Sequence, residues 1–154
     1  MSSTETNIFA DGKHTFAMIK PLTVGRGNTI DVLNRLTKFG FQIQQIALVP
    51  RCPATMEALY ASHKGKPYYD DLVKSMSVNS VVPLVLYHPT EDAISYMRKC
   101  LGATNSYLAE AGTIRAEFGG HVWRGTNAPM NDNAMHASDS AEAAAYEASL
   151  FFKL

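Results

Sequence analysis

Residues 80–87 read Ser-Val-Val-Pro-Leu-Val-Leu-Tyr and are the most strand-like stretch of the chain. Their β-branched and aliphatic side chains predict a β-strand. Residues 15–20, Thr-Phe-Ala-Met-Ile-Lys, form another short apolar segment, and Pro21 follows it. The length of this segment and the proline after it predict a second, buried strand. The chain therefore contains a β-sheet, and the other segments are interpreted around it.

Helical and strand patterns alternate through the rest of the chain. Residues 41–49 alternate apolar side chains with Gln apart from one slip, which predicts a strand with a bulge. The short apolar piece at 133–136 predicts a fourth strand, and residues 25–27 predict a loop. Apolar positions at helical spacing predict helices over about 28–39, 53–63, 68–76, 90–101 and 140–151. We expect Asp139 to cap the last helix.

This order of elements predicts an α+β fold of the ferredoxin-like split β-α-β type. In such a sandwich a four-stranded antiparallel sheet is covered by helices, here expected on one face. A doubly wound parallel sheet is the alternative. Residues 1–14 are expected to be a flexible N-terminal tail, and 15–154 a single domain. Low periodicity predicts an extended loop at about 119–132.

The composition limits the classes of function. The chain has 154 residues, of which 46% are hydrophobic, and its 14 Lys and Arg balance 14 Asp and Glu. Zero net charge gives no global attraction to nucleic acid or to an anionic membrane, although it allows a local basic pocket. Two cysteines outside any CxxC motif indicate reduced thiols. With a polar N-terminus and no long apolar run, we expect a cytoplasmic protein without a membrane span.

His136 is the first candidate for chemistry. It lies in the segment Asn-Ala-Met-His-Ala-Ser-Asp-Ser at 133–140, where a short strand meets a helix start. Glu147 lies seven residues after Ser140, on the same helical face, and a carboxylate there can orient the imidazole of a nucleophilic histidine. From spacing alone, a partly buried histidine beside an ordinary surface glutamate is the more common arrangement.

Three cations are the next candidates, together with Thr104. Lys20 ends an apolar strand, Arg98 lies beside the apolar stripe of a helix, and Arg115 follows a glycine turn. Two guanidinium groups and an ammonium group can together hold a polyphosphate. The alternative is solvated surface charge balanced by nearby acidic residues. The sequence has no P-loop motif and no histidine spacing typical of zinc sites.

Five segments together resemble the nucleoside diphosphate kinase family. They are residues 15–21 (TFAMIKP), 66–69 (KPYY), 101–105 (LGATN), 112–119 (GTIRAEFG) and 133–140 (NAMHASDS). They occur in the family's order, and the resemblance extends over nearly the whole chain. The pattern Asn-x-x-His-[Gly/Ala]-Ser-Asp is the most specific of them.

The resemblance implies a ping-pong enzyme. His136 would take the γ-phosphate of a nucleoside triphosphate at its pros nitrogen and pass it to a nucleoside diphosphate, which maintains nucleotide pools. Glu147 and Ser138 are similar to the family pair that holds the imidazole. Tyr60 matches a tyrosine near the histidine and phosphates, and Lys20 the lysine at the terminal phosphate and the sugar 3′-hydroxyl.

The resemblance also implies the nucleotide contacts. Arg98, Thr104 and Arg115 are similar to the ligands of the β- and γ-phosphates. Asn133 matches the asparagine that binds a sugar hydroxyl, and Tyr68 stands where the family stacks an aromatic ring on the base. Mg²⁺ would arrive on the phosphates of ATP, GTP, GDP or deoxynucleoside diphosphates, with no metal ligand from protein side chains. A homo-oligomer built from dimers is implied, with a hexamer favoured over a tetramer, and neither a membrane nor a specific nucleic acid as partner.

Two departures set the chain apart within this resemblance. Leu22-Thr23 replaces the family's Asp-Gly, and extra residues between Phe118 and His136 indicate a variant branch with a longer loop before the active site. Val122 or Trp123 is expected to replace the base-side contact there. A non-catalytic regulatory or oligomerisation domain on the same scaffold is the alternative function.

Overall fold

The computed structural model describes residues 6–120 and 131–154. The expected base-side residues Val122 and Trp123 lie outside the described residues, as do the first five residues of the expected tail. The end of that tail is not flexible as expected, since Ile8–Asp11 forms a 3-10 segment whose Phe9 is buried in the core, and His14 begins a strand. None of the helices within the described ranges is long and apolar enough to cross a membrane.

The sheet has four strands, all antiparallel to their neighbours, in the order β2-β3-β1-β4. The strands are β1 (His14–Ile19), β2 (Gln42–Ile46), β3 (Val82–Tyr87) and β4 (Met135–Ala137). The two strongest predicted strands, β1 and β3, pair with each other in the centre of the sheet. This topology confirms the ferredoxin-like prediction and excludes the parallel alternative.

Seven α-helices are described in these ranges, numbered in chain order, and three short 3-10 segments accompany them. The helices are α1 (Pro21–Gly25), α2 (Thr29–Lys38), α3 (Pro53–Leu59), α4 (Tyr69–Ser75), α5 (Ala93–Leu101), α6 (Ile114–Phe118) and α7 (Ala141–Ser149). The 3-10 segments are Ile8–Asp11, Ala61–His63 and Ser106–Leu108.

Two short helices occur where the sequence predicted no helix. In α1, Pro21 takes the first helical position, where its missing N–H costs nothing. In α6, Thr113 caps the helix and its side chain accepts a hydrogen bond from the backbone N–H of Ala116. Five residues are too few to show a helical period, so only their end signals mark these helices.

The cap of α7 also differs from the prediction. Ser140, and not Asp139, accepts the backbone N–H of Ala143. The expected bulge in β2 is present, since its pairing with β3 shifts between Ile43 and Gln45.

Helices cover both faces of the sheet, so the expectation of helices on one face was wrong. Ala17 and Ile19 of β1 face a core formed with α2, α5 and α6, whereas Phe16 and Met18 face a second core formed with α3, α4 and α7. Because β1 and β3 are buried on both sides, their sequences are continuously apolar and do not alternate. The functional cleft lies where β1 and β4 meet the second helical layer.

Candidate active site

A cavity of about 560 Å³ brings the predicted site residues together. All of them except Ser138 line it, and Ser138 lies just behind, bonded to a lining residue. The lining residues are Lys20, Leu59, Tyr60, Ser62, His63, Tyr68, Leu72, Arg98, Thr104, Arg115, Asn131, Asn133, His136, Ala137, Asp139, Ala143 and Glu147.

His136 is the middle residue of β4 and lies opposite Met18 on β1. Its neighbours in the strand, Met135 and Ala137, are buried in the first core, and because side chains alternate along a strand His136 faces the cleft side. Ala134, just before the strand, has φ 73°, which is the left-handed region. A non-glycine residue there costs on the order of 1 kcal/mol, and such positions concentrate at functional sites.

Glu147 on α7 holds the imidazole of His136. Nε2 of His136 lies 2.9 Å from Oε1 and 2.8 Å from Oε2 of Glu147. Ser138 donates its hydroxyl to Oε2 over 2.8 Å. An ionised carboxylate only accepts hydrogen bonds, so Nε2 carries the proton and Nδ1 keeps its lone pair. The arrangement therefore makes Nδ1, the pros nitrogen, the nucleophilic atom of the ring.

The ring of Tyr60 lies edge-on to His136, with centroids 5.9 Å apart. Its hydroxyl is buried and finds no hydrogen-bond partner among residues 6–120 and 131–154. Burial raises the pKa of this phenol, and the charge of Glu147 acts in the same direction. Tyr60 therefore keeps its proton and can donate it to an acceptor in the cleft.

Lys20 is 5% exposed, and Nζ donates to the carbonyl oxygen of Asn131 over 3.2 Å. Burial and, after it, the positive charge of Arg115 lower the pKa of Lys20, the negative charge of Asp132 acts in the opposite direction, and the resulting pKa is about 7. No carboxylate among residues 6–120 and 131–154 forms an ion pair with Lys20. A buried ammonium group of this kind is unusual and is typical of a binding site for an anion.

Arg115 and Arg98 are held by backbone carbonyls. Arg115 is 5% exposed, and its guanidinium donates to the carbonyl oxygens of Gly102, Asn133 and Met135 over 3.3, 3.2 and 3.0 Å. Nη1 of Arg98 donates to the carbonyl oxygen of Ala137 over 3.0 Å. No ion pair engages either arginine within the described part of the chain. The cleft therefore concentrates positive charge in a protein of zero net charge.

Asn133 is almost completely buried at the same end of the cleft. Its Nδ2 donates to the carbonyl oxygen of Thr104 over 2.7 Å, whereas Oδ1 has no partner in the described ranges. A buried, unpaired acceptor beside two cations can take a hydrogen bond from a ligand hydroxyl.

Tyr68 lies at the rim, 41% exposed, and its hydroxyl is 2.6 Å from Nδ1 of His63. The sequence analysis missed His63, Asn131 and Asp139, which also line the cleft. Only the position of His63, three residues after Tyr60, signalled that it lies on the same side of its helical segment.

The described residues contain no group of three His, Cys, Asp or Glu side chains that could hold a metal ion. Glu147, one of the carboxylates of the cleft, is engaged by His136 and Ser138.

Comparison with known proteins relates this chain to an enzyme family. The family model described as nucleoside diphosphate kinase matches residues 13–154. The nucleoside diphosphate kinase of Geotalea uraniireducens is 40% identical over 140 residues, which is 91% of this chain and 95% of the relative. That of Sulfolobus acidocaldarius is 36% identical over 141 residues, 92% of this chain and 90% of the relative.

Solved structures of such kinases have the same fold. The Aquifex aeolicus nucleoside diphosphate kinase superposes with a TM-score of 0.80 at 33% identity, over 92% of this chain and 95% of that one. The Halobacterium salinarum enzyme, solved in complex with CDP, has a TM-score of 0.78 at 30% identity, over 91% and 87%.

Proposed function

Because the chain belongs to the nucleoside diphosphate kinase family and catalyses phosphoryl transfer between nucleoside tri- and diphosphates, we propose that His136 carries the phosphoryl group. The observation that carries this proposal is the bond from Nε2 of His136 to Glu147, which leaves the lone pair on Nδ1. A neutral imidazole in this tautomer is a nucleophile near pH 7 without a separate general base.

The reaction then has two symmetric steps. Nδ1 attacks the γ-phosphorus of the triphosphate, the bond from phosphorus to the bridging oxygen breaks, and the nucleoside diphosphate leaves. The proton on Nε2 stays in its bond to Glu147, which stabilises the positive charge on the ring. A terminal phosphate oxygen of the second nucleoside diphosphate attacks the same phosphorus, and the P–N bond breaks. No net proton transfer is needed, so positioning and charge dominate the catalysis.

The cations of the cleft supply that charge stabilisation. Lys20, Arg98 and Arg115 are the ligands we propose for the β- and γ-phosphates, with Thr104 beside them. Their bonds to backbone carbonyls fix them before the substrate arrives, so little reorganisation is needed during the reaction. Tyr60 donates its buried hydroxyl to the transferred group.

The nucleoside end is bound by less specific contacts. Oδ1 of Asn133 accepts a sugar hydroxyl, and Tyr68 stacks on the base. Stacking accepts any base, which agrees with ATP, GTP, GDP and deoxynucleoside diphosphates as substrates. The related Halobacterium salinarum structure was solved with CDP, a pyrimidine nucleotide.

Kinases of this type need a divalent metal, and we propose Mg²⁺. Mg²⁺ would arrive on the phosphates of the incoming nucleotide and would supply neutralisation of their charge, next to Lys20, Arg98 and Arg115. The described lining fits this role, because Lys20, Arg98 and Arg115 can bind phosphate, and of its two carboxylates, Asp139 and Glu147, the second is bonded to His136 and Ser138.

Assembly from dimers into a hexamer, in preference to a tetramer, is the proposed quaternary state. Support comes from β2, which is an edge strand with an exposed Ile46, and from the exposed Ile30 and Leu48. Neither a membrane nor a specific nucleic acid is a proposed partner. A cytoplasmic location agrees with the free thiols of Cys52 and Cys100.

Labelling tests the proposed intermediate. After incubation with γ-labelled ATP and removal of nucleotide, we expect protein-bound label that is acid-labile and base-stable and that GDP removes. His136→Ala should not label. His14→Ala is the matched control, since His14 is a surface histidine paired with Asp11. Equal labelling of His136→Ala and wild type would refute the mechanism.

A further inference from the structure

Arg26 lies outside the cleft, just after α1, and its guanidinium group joins three segments of the chain. Nη1 donates to Oδ2 of Asp132 over 2.7 Å, and Nη2 donates to Oδ1 over 2.9 Å. Nη2 also donates to the carbonyl oxygen of Phe118 over 2.9 Å and to Oγ1 of Thr23 over 3.2 Å. Two parallel bonds to one carboxylate fix its plane as well as its position, which arginine provides and lysine does not.

Each of these segments carries a residue of the proposed nucleotide site. Lys20 directly precedes α1, Arg115 lies three residues before Phe118 on α6, and Asn133 directly follows Asp132. Arg26 and Asp132 do not themselves line the cleft. Any effect of these two residues on the reaction must therefore pass through residues that do.

The backbone around Asp132 is tied to the same segments. The carbonyl oxygen of Asn131 accepts from Nζ of Lys20 over 3.2 Å, and that of Asp132 accepts from the N–H of Gly120 over 2.6 Å. The next residue, Asn133, places its unpaired Oδ1 in the cleft region. A displacement of residues 131–133 would therefore move two groups together, the side-chain amide of Asn133 and the Asn131 carbonyl that binds the Lys20 ammonium group.

We propose that Arg26 and Asp132 form a positioning pair for the sugar- and phosphate-binding end of the cleft. The pair sets the orientation of residues 131–133 and, through them, the Lys20 ammonium group and the Asn133 amide. This inference rests on the proposed function, because it is that function which makes Lys20 and Asn133 nucleotide ligands.

Asp132 also acts on Lys20 through its charge. The charged groups that act on the ammonium are Arg115 of α6, which together with burial lowers its pKa, and Asp132, which raises it. The Asp132 side chain is only 13% exposed, so solvent screens its charge weakly. Removing that charge makes Lys20 lose its proton at lower pH. The alkaline limit of nucleotide binding should then move to lower pH.

Steady-state kinetics between pH 6 and 9 test the pair in Arg26→Met, Arg26→Lys and Asp132→Asn. We expect Arg26→Met to raise the KM for GDP about tenfold with a smaller change in kcat. The substitution displaces the residues that bind the nucleotide more than it disturbs the phosphoryl transfer itself. Arg26→Lys should show most of this effect, since lysine keeps the positive charge but cannot form the two parallel hydrogen bonds to the carboxylate. In Asp132→Asn, the alkaline limb of kcat/KM should shift to lower pH.

The ion pair of Arg35 with Glu117 provides a matched control. It also ties a helix, α2, to α6 on the protein surface, but it touches none of residues 131–133. Arg35→Met removes the same kind of group by the same substitution. We expect it to keep the wild-type KM for GDP and the wild-type pH profile.

A lowered Tm in Arg26→Lys and Asp132→Asn without change in KM or in the pH profile would overturn the proposal, since the pair would then serve stability alone. These two variants decide the question if Arg26→Met does not fold. Labelling of His136 separates the two possible failures. A labelled wild type with unaltered variants contradicts the positioning pair only, whereas an unlabelled wild type contradicts both proposals.

Discussion

Lys20 should take up a proton when a nucleotide binds. Burial lowers its pKa from 10.5 to about 7 in the folded protein without ligand. At pH 8 about 0.1 of the molecules then carry the charge, and at pH 6 about 0.9. A bound diphosphate brings negative charge to the ammonium group and restores its pKa. Binding should therefore take up about 0.9 proton at pH 8 and about 0.1 at pH 6.

The same shift has a cost in stability whose sign is fixed by linkage. The folded pKa lies below the unfolded one, so the unfolded state binds more protons between about pH 7 and 10.5. Stability therefore falls as the pH falls through this window, and the whole penalty is present below pH 7. At 1.36 kcal/mol per unit, the upper limit is on the order of 5 kcal/mol. Lys20→Met should accordingly raise the free energy of unfolding at pH 6 while it abolishes efficient transfer.

Calorimetric titration with GDP measures the proton uptake. The observed enthalpy is compared in two buffers of different ionisation enthalpy, at pH 8, where the terminal phosphate is already ionised. Lys20→Met should lose the uptake. Lys13→Met, which removes a half-buried lysine whose ammonium group donates to the carbonyl oxygen of Pro89, should retain it. Uptake near zero in the wild type, or equal uptake in Lys20→Met, would refute the reasoning.

Three further predictions concern single contacts. Glu147→Gln should lower kcat at least tenfold with little change in KM, because the neutral amide stabilises the imidazolium of His136 poorly. An unchanged rate constant for phosphoryl transfer in a single turnover would contradict this. Tyr68→Ala should raise the KM for GDP severalfold and leave that for ribose 5-diphosphate unchanged, and equal effects on both would rule out stacking. Gly40→Ala should lower the free energy of unfolding in urea by about 2–4 kcal/mol, since φ of Gly40 is 94° and the new Cβ would lie 2.8 Å from Nε2 of His88. A loss below about 1 kcal/mol would contradict this and show that the His88 side chain moves away at little cost.

Periodic and specific patterns were the predictable part of the molecule. The strands β1 and β3 and the longer helices were predicted from runs and spacings, because burial imposes those patterns on the sequence. The five-residue helices α1 and α6 were missed, since they are shorter than two turns. Burial of β1 on both faces was also missed, because a short apolar run does not show how many layers cover it.

For the site, sequence motifs were more informative than periodic patterns. The resemblance carried by five segments, with the signature around His136 the most specific of them, predicted most of the residues that the structure brings into one cleft. Contacts between segments far apart in the sequence were not indicated by any motif. The bond of Arg26 to Asp132 joins residues 106 positions apart, and neither residue lies in a distinctive pattern. His63 was missed although Tyr68 is only five positions away, because their bond depends on how the chain turns between them.

The position of β4 in the chain has a consequence for folding during synthesis on the ribosome. β4 has three residues and pairs only with β1, joining positions 17–19 to 135–137. The β1, β2 and β3 part of the sheet can pair before β4 is synthesised, whereas His136 and Glu147, the proposed nucleophile and its carboxylate, follow β3 in the chain. Closing so long a loop comes late in folding. A nascent chain can therefore form three strands of its sheet before the proposed site exists, and it cannot form phosphohistidine until β4 has been synthesised.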